Sequence, residues 1–238
     1  MALTLELRKL ILPLFMTEIN FLIEGSKVIG ILGESGNGKS TLAKVMAGLI
    51  KPVSGYVLID GRDIFKISRK ERGRLIQLVL QDPYTSLDPE AKVIDTILEG
   101  VKILKIHVND EMFNYYVNRF GITELLNKRI YELSGGERQR INILRSMLIN
   151  PKVIIYDEPT SMVDSMNRRE VLDLICSNNS AISIIISHNV LDMSCVDTVF
   201  VMRKGKIIAR GKIEELRGYD DLYVRTLANG LLNDNKFR

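Results

Sequence analysis

The chain has 238 residues, of which 46% are hydrophobic and 26% are charged, and its formal net charge is +4 at pH 7. This length allows one well-buried α/β domain, and the longest apolar runs are far too short to span a bilayer, which excludes a membrane-spanning protein. The basic residues are spread along the chain, so a solvated surface is favoured over a nucleic-acid-binding face, and no nucleic acid is expected as a partner.

The start of the chain favours a cytosolic protein, and its two cysteines carry no motif. No basic segment followed by an apolar run and a small-residue cleavage site opens the sequence. Cys176 and Cys195 do not form a C-x-x-C pair. We interpret them as small buried apolar residues that hold neither a metal nor a disulfide.

The first predicted elements are strands. Apolar and polar residues alternate over residues 3–7, which predicts an edge strand that ends or bends at Pro13, because proline has no N–H for a ladder. Residues 19–23 predict a second strand. Residues 28–32 form an apolar run and predict a buried strand that leads into a glycine-rich turn.

Residues 33–40 read Gly-Glu-Ser-Gly-Asn-Gly-Lys-Ser and match the phosphate-binding loop G-x-x-x-x-G-K-[ST] between a predicted strand and a predicted helix. Lys39 is expected to reach the β- and γ-phosphates, Ser40 to bind Mg²⁺ and Thr41 to support the α-phosphate. The alternative, a glycine-rich turn without a ligand, is disfavoured by the register of strand, Lys-Ser pair and helix. The predicted nucleotide-binding residues of this loop are Gly33, Glu34, Ser35, Gly36, Asn37, Gly38, Lys39, Ser40 and Thr41.

The next segment carries a further residue that is a candidate for the nucleotide site. The helix after the loop is predicted to end near Ile50, and a strand is predicted at residues 56–59. A capping box at Ser68 opens a short basic helix before a strand at residues 75–80. Gln81 follows at the sheet edge where open α/β sheets bind ligands, so its amide is a candidate contact for Mg²⁺ or the attacking water. An ordinary surface loop is the alternative.

A helical region follows. Residues 93–127 have apolar side chains at helix spacing, which predicts a helical lobe inserted into the core. Ser134 and Glu137 then form a capping box before another helical pattern. Gly135 and Gly136 leave the N–H groups of this helix start open to an anion. From these residues alone the segment is a helix start and a candidate anion site.

The motifs in this order resemble those of the ATP-binding-cassette (ABC) family, specifically its nucleotide-binding subunits. Residues 133–139, Leu-Ser-Gly-Gly-Glu-Arg-Gln, match the family's signature motif, and the resemblance extends over about residues 3–216. It implies that the signature of one subunit covers the γ-phosphate held by the phosphate loop of another. Residues 134–137 are therefore predicted to contact ATP across a dimer.

The resemblance implies an α/β fold class, the P-loop NTPase fold of ABC ATPases, with a RecA-like core, an antiparallel β subdomain and an inserted helical lobe. We predict a single domain over residues 1–238. Its core with the β subdomain would comprise residues 1–81 and 146–216, and the helical lobe with the signature would comprise residues 82–145. Residues 217–238 would be a C-terminal tail, to which the sequence assigns no role.

Two acids end the next predicted strand, residues 153–156. A carboxylate at a core strand's end beside a phosphate loop can hold Mg²⁺, which is the role assigned to Asp157. Glu158 is predicted to act as general base on water, with plain solubilising acids as the alternative. The resemblance implies that Asp164, in the D-loop position, reaches the other subunit. It also places His188 as the switch histidine that contacts the γ-phosphate, although a histidine capping the core is the alternative.

One family feature is missing from the first strands. The family usually stacks adenine on an aromatic residue there, but residues 3–14 contain none and Phe15 is the nearest candidate. Stacking of a base on an aromatic side chain contributes about 1–3 kcal/mol. We therefore predict weak discrimination between ATP and GTP.

The loop at residues 80–89 resembles the Q-D-P-x-x-S-L-x-P loop of ATPases that power oligopeptide and nickel importers. This implies ATP hydrolysis that energises import of peptides, nickel or related small solutes through integral membrane permease subunits, with a solute-binding protein as an indirect partner. The second ATPase would be an identical chain or a paralogue. The location would be cytoplasmic, peripheral on the inner face of the cell membrane. The sequence lacks the cysteine-rich C-terminal extension of many peptide-type subunits, which leaves the cargo open.

Two other classes compete with this interpretation. A non-transport ABC ATPase of DNA repair, translation or cluster assembly would be indicated by a long coiled-coil insertion, a second cassette or zinc-type cysteines, and the sequence has none of these. A P-loop GTPase would need an N-K-x-D base-reading motif, which is not found, and it would leave residues 133–139 unexplained.

Overall fold

Strands form from the aliphatic runs at both ends of the chain, and helices fill the middle. The computed structural model describes residues 2–178 and 180–231. The strands are β1 Thr4–Ile11, β2 Glu18–Glu24, β3 Val28–Leu32, β4 Ser54–Ile59, β5 Arg62–Asp63, β6 Ile76–Val79, β7 Val153–Asp157, β8 Ile182–Ser187, β9 Thr198–Arg203 and β10 Lys206–Gly211. The helices are α1 Lys39–Met46, α2 Arg69–Leu75, α3 Pro83–Ser86, α4 Val93–Leu104, α5 Asp110–Arg119, α6 Gly135–Met147, α7 Ser165–Cys176, α8 Ile213–Arg217 and α9 Leu222–Ala228. Short 3₁₀ turns lie at Thr123–Leu125, Ile130–Glu132 and Val190–Met193.

The described strands form two sheets. The larger has the order β10-β9-β3-β8-β7-β6, and all its neighbours pair in parallel except β9 with β10. The smaller has the order β2-β1-β4-β5 and is antiparallel throughout. Parallel pairs need crossover connections, which here run through helices that cover the larger sheet. The predicted fold class, a parallel core with an antiparallel subdomain and helices inserted between strands, is confirmed.

The parallel strands are apolar on both faces. In β3, Ile29 and Ile31 belong to a core shared with the antiparallel sheet and α1, whereas Val28 and Leu32 belong to a second core shared with α4, α5 and α6. Strands β7 and β8 divide their side chains between the same two cores. A strand buried on both faces needs a continuous apolar run, which is why residues 28–32 were readable as a buried strand.

Two predictions near the N-terminus were wrong in detail. Strand β1 lies between β2 and β4, so it is interior rather than an edge strand. It continues to Ile11, past an irregularity in its pairing at Lys9, whose φ is 48°, and the turn at Pro13 follows as predicted. Helix α1 ends at Met46 rather than near Ile50. Gly48 follows with a φ of 69°, a conformation that terminates helices.

The helical region of the sequence forms α4, α5 and α6, which share one core. Buried side chains from all three, including Ile97, Val117 and Leu144, meet there. The proposed limits of the lobe remain a prediction. Over residues 2–178 and 180–231, none of the helices combines the length and the apolar character that crossing a bilayer needs.

The C-terminal segment has a defined structure as far as residue 231. Helix α9 buries Val224, Leu227 and Ala228 in the same core as the helical lobe. The sequence assigned no role to this segment because its apolar residues are too few for a clear periodic pattern. Residues 232–238 of the predicted tail, and residue 1 of the predicted domain, lie outside the described residues.

Cys176 and Cys195 are joined by a disulfide, with their Cα atoms 6.1 Å apart. This corrects the prediction of two unpaired cysteines. Cys176 ends α7, and Cys195 follows the 3₁₀ turn Val190–Met193. Both pack against the core of the helical lobe, so the fold brings them together although they are 19 positions apart in the sequence.

Candidate active site

The phosphate loop joins the end of β3 to the start of α1. Gly36 and Gly38 have φ values of 82° and 94°, in the left-handed region that favours glycine. A Cβ on Gly38 would also lie only 2.7 Å from the ring of Phe15. These two glycines therefore allow the turn that leads into α1, where the N–H groups of the first turn favour an anion.

Lys39 opens α1, and its side chain is buried. Its Nζ donates to the carbonyl oxygens of Gly33 at 2.7 Å and of Glu34 at 2.9 Å. Burial lowers the pKa of Lys39, and the carboxylates of Glu158, Asp157 and Glu34 act against that shift. The loop's own carbonyl groups thus hold the ammonium group where it can pair with phosphate oxygens.

Asp157 ends β7, and its Oδ1 accepts a hydrogen bond from Ser40 Oγ at 3.2 Å. Burial raises the pKa of Asp157, while the hydrogen bond from Ser40 and the charge of Lys39 oppose that shift. A carboxylate and a hydroxyl side by side are hard oxygen donors that suit Mg²⁺, which usually keeps several waters and takes one or two protein carboxylates.

The other possible metal ligands near Ser40 and Asp157 are also consistent with an ion that takes few protein ligands. Gln81 lines a cleft beside the phosphate loop, together with Lys39 and Ser40, and its side chain carries an amide oxygen. Among the described residues, no cluster of three or more His, Cys, Asp or Glu side chains could hold a metal alone. The residues present therefore fit Mg²⁺ bound together with phosphate and water.

Glu158 has a backbone φ of 50°, which is unfavourable for a residue with a Cβ by about 1–2 kcal/mol. Two hydrogen bonds hold it there: its N–H donates to the Ile186 carbonyl at 2.8 Å, and its own carbonyl accepts from Ser161 Oγ at 2.9 Å. Backbone strain of this kind persists where the surroundings over-determine it, and it concentrates at functional sites.

The carboxylate of Glu158 lies between His188 and Lys39. His188 Nδ1 is 2.8 Å from its Oε2, and Lys39 Nζ is 3.8 Å from its Oε1. The side chain of Glu158 is 10% exposed and that of His188 is 54% exposed. The two neighbours therefore fix the direction of a nearly buried carboxylate at the edge of the cleft.

Most of the predicted site residues meet around one cleft of about 380 Å³. Its lining consists of Leu14, Phe15, Ser35, Gly36, Gly38, Lys39, Ser40, Thr41, Gln81, Glu158 and His188. Gly33 and Asp157 reach it through their hydrogen bonds to Lys39 and Ser40. Six loop residues, Gln81, Glu158 and His188 are thus brought together from four separate stretches of the chain.

Phe15, the residue nearest to a base-stacking candidate, lies in this lining. Its ring packs against the positions where Gly38 and Gly205 would carry a Cβ, so part of it is used in packing. Weak discrimination between ATP and GTP stays a prediction.

The remaining predicted residues lie away from the cleft. Ser134 and Glu137 form the expected capping box at the start of α6, with Ser134 N–H donating to Glu137 at 2.8 Å. Asp164 caps α7 by accepting from the N–H groups of Met166 and Asn167. Gly135 and Gly136 pack towards Met162 and Asn167, respectively. Their predicted contacts with ATP require a second subunit and stay a prediction.

Sequence reasoning missed Asp192. Its side chain is 1% exposed and accepts hydrogen bonds from Thr160 Oγ1 at 2.9 Å and Ser187 Oγ at 2.6 Å. Thr160 follows Glu158 closely, and Ser187 precedes His188, so Asp192 ties together the two segments that carry the acid–histidine pair. The only sign in the sequence was a lone acid between Leu191 and Met193.

Comparisons with known proteins identify the family of this chain. The model of the ABC transporter family matches residues 16–161, more than half of the chain. The energy-coupling factor transporter ATP-binding protein EcfA1 of Mycoplasmopsis pulmonis is 35% identical over 202 residues, 83% of this chain and 76% of that protein. A Brucella ovis protein that bears the name of a peptide import ATP-binding protein is 30% identical over 88% of this chain and 68% of its own length.

A solved structure gives the same result for the fold. The structure of cbiO1 from Clostridium perfringens, part of the ABC transporter complex cbiONQ, superposes with a TM-score of 0.77 at 30% identity, covering 90% of this chain and 94% of that one. The fold is that of an ABC ATPase. The chain belongs to the ABC transporter family, as an ATP-binding subunit that hydrolyses ATP.

Proposed function

We propose that this subunit powers the import of small solutes by closing, as a dimer, on two ATP molecules and opening after hydrolysis. The observation that carries the proposal is the cleft in which Lys39, Asp157, Glu158 and His188 converge. Reversing a two-state balance from 1:99 to 99:1 takes about 5.5 kcal/mol of differential binding, which γ-phosphate contacts across an interface can supply.

The chemistry follows from the positions of the side chains. Glu158 is oriented by His188 to accept a proton from a water that attacks the γ-phosphate. Lys39 pairs with phosphate oxygens, and His188 donates to the γ-phosphate once it is bound. Bound Mg²⁺, held by Ser40 and Asp157 with Gln81 nearby, would neutralise charge on the phosphates.

The dimer completes the site. The signature residues 134–137 and Asp164 lie at helix starts outside the cleft, where they can serve the phosphate loop of a facing subunit. That subunit would be a second copy of this chain or a paralogous ABC ATPase. Integral membrane permease subunits would bind the pair at the inner face of the membrane, which makes the chain a cytoplasmic, peripheral subunit.

Two classes of transporter are supported by different observations. The loop at residues 80–89 and the Brucella ovis relative favour peptides, nickel or related small solutes delivered by a solute-binding protein. The Mycoplasmopsis pulmonis relative favours an energy-coupling factor transporter. Purification of the chain with its membrane subunits, followed by identification of the associated solute receptor, separates the two.

The proposed mechanism is tested by Glu158→Gln. Because the amide cannot accept the proton, we expect the ATPase rate to fall by about 100-fold or more and a dimer to persist in ATP during size-exclusion chromatography. Glu124→Gln, an exposed substitution of the same kind, is the matched control and should behave like the unchanged protein. A Glu158→Gln variant that hydrolyses ATP normally would remove Glu158 from its role.

A further inference from the structure

The first turn of α9 contacts the phosphate loop at residues that do not line the cleft. The side chain of Tyr223 is buried, with the residue 2% exposed. Its hydroxyl oxygen accepts from Asn37 Nδ2 at 3.0 Å and from the N–H of Glu34 at 3.4 Å. A residue more than 180 positions away in the sequence therefore contacts the loop at two points.

The contact with Glu34 acts on the same peptide unit that holds Lys39. The Gly33 carbonyl accepts from Lys39 Nζ on the cleft side at 2.7 Å, and the N–H of Glu34, in the same planar unit, is directed to Tyr223. Since the unit is rigid and its N–H and C=O point in opposite directions, fixing one fixes the other. Tyr223 thus restrains the carbonyl group that positions the Lys39 ammonium.

The contact with Asn37 completes a set of bonds around this side chain. Asn37 Oδ1 accepts from the N–H of Lys204 at 3.0 Å, and its backbone carbonyl accepts from the N–H of Gly205 at 3.0 Å. Its Nδ2 donates to Tyr223. Asn37 directly precedes Gly38, so these bonds hold the left-handed turn from which α1 starts.

Tyr223 is itself firmly placed. Asp221 caps α9 by accepting from the N–H groups of Tyr223 at 2.8 Å and Val224 at 3.1 Å. The guanidinium carbon of Arg203 lies 4.4 Å from the centre of the tyrosine ring. With Val224 and Leu227 buried in the core, the helix presents the hydroxyl at a fixed position behind the loop.

We propose that Tyr223 is a positioning residue of the nucleotide site, and that the C-terminal helix α9 thereby sets the affinity of the phosphate loop for nucleotide. The inference rests on the proposed assignment of the loop as the nucleotide site. It acts through Asn37 and the 33–34 peptide, so it concerns binding of the phosphates rather than the hydrolytic step.

The test is Tyr223→Phe, which removes only the hydroxyl. Because the loop loses a buried hydrogen-bond partner, its affinity for both ATP and ADP should fall by about 3- to 10-fold. The KM for ATP should rise by the same factor, while kcat at saturating ATP stays within about twofold. Binding is measured by calorimetry and hydrolysis by phosphate release, with the folded state checked by circular dichroism.

Three further variants decide the interpretation. Tyr219→Phe, on the neighbouring exposed turn, is the matched control and should leave both constants unchanged. Asn37→Ala combined with Tyr223→Phe should weaken binding by less than the product of the two single effects, because each substitution removes the same hydrogen bond between these side chains. Lys39→Ala should abolish binding.

The outcomes distinguish a wrong assignment of the nucleotide site from a wrong role for Tyr223. If Lys39→Ala binds ATP normally, the assignment of the nucleotide site fails. If Lys39→Ala loses binding but Tyr223→Phe keeps the original affinity and KM, the site stands and the role of Tyr223 is wrong. A fall in kcat alone, or a lower melting temperature with unchanged affinity, also overturns the proposal, since either one indicates a purely structural or hydrolytic effect.

Discussion

Asp192 does not line the cleft, but its hydrogen bonds join the two segments that carry Glu158 and His188. Its carboxylate accepts hydroxyl hydrogen bonds from Thr160 and Ser187 inside the protein. Hydrogen bonds to a charged acceptor are about twice as strong as those between neutral groups. These bonds set the distance between the segment of Glu158 and the segment of His188, and so the geometry of the proposed general base.

Asp192→Asn tests this role. The amide group keeps the shape but loses the charge and one acceptor, so the two segments should lose part of their alignment. Small misplacements of catalytic groups are costly, and we expect kcat to fall about 10- to 100-fold with little change in KM. Steady-state ATP hydrolysis provides the measurement. Asp173→Asn, at an exposed position, is the control, and equal kcat values for the two variants would show that Asp192 has no influence on the site.

The capping box at the start of α6 contributes to the stability of the helix as an element. Ser134 and Glu137 satisfy each other's N–H groups in a capping box. Burial works to raise the pKa of Glu137, but the hydrogen bonds with Ser134 and the charges of Lys128 and Arg140 outweigh it, so the pKa lies below its ordinary value of 4.5. The ionised carboxylate is therefore part of what stabilises the helix start.

This shift predicts a pH dependence of stability. Because the pKa is lower in the folded chain than in the unfolded one, the contribution of Glu137 is complete above about pH 4.5 and is lost as the pH falls through the lowered value. Urea unfolding of the original protein and of Glu137→Gln should show a stability difference at pH 7 that shrinks below pH 4.5. Glu124→Gln tests the same change of charge outside the capping box. A difference that grows on acidification would contradict the prediction.

Elements differed in how well the sequence predicted them. Strand β3, the phosphate loop and the start of α6 were readable because their signals are local: an apolar run, glycines before Lys39, and an S-x-x-E box at Ser134. The interior position of β1 was missed because it depends on β4 returning to pair with it. Helix α9 was missed because its seven residues carry little periodicity, and its position is decided by contacts with distant parts of the chain.

Site residues with a local sequence signal were likewise predicted, whereas those placed by distant contacts were not. Lys39 was predicted from the phosphate-loop motif. Asp157 and Glu158 were predicted from their place at the end of a buried strand, because the carboxyl ends of parallel strands meet at one edge of the sheet. Asp192 and Tyr223 have no motif of their own. They were placed only when the fold brought the 3₁₀ turn Val190–Met193 and α9 against the loops of the cleft.

At the scale of the whole molecule, the disulfide spans the stretch of chain that carries β8 and His188. Helix α7 follows Asp164, and Cys195 follows the turn after His188, so the bridge closes a stretch of chain that contains β8. Closing a loop of this length stabilises a protein by about 3 kcal/mol in the chain-entropy description. Disulfides are rare in a reducing cytosol, and in the proposed location the chain would lack this contribution while the bridge is reduced.

This predicts a stability that depends on redox conditions. The oxidised protein should show no thiol that reacts with Ellman's reagent after unfolding, and addition of dithiothreitol should expose two thiols and lower the stability by up to about 3 kcal/mol. The variant with Cys176→Ala and Cys195→Ala should match the reduced protein and should not respond to dithiothreitol. Two reactive thiols in the protein purified under oxidising conditions would refute the bridge. ATP hydrolysis by the reduced protein should persist, because the residues around the cleft are held by β3, β7 and β8 and by their hydrogen bonds rather than by the sulfur atoms.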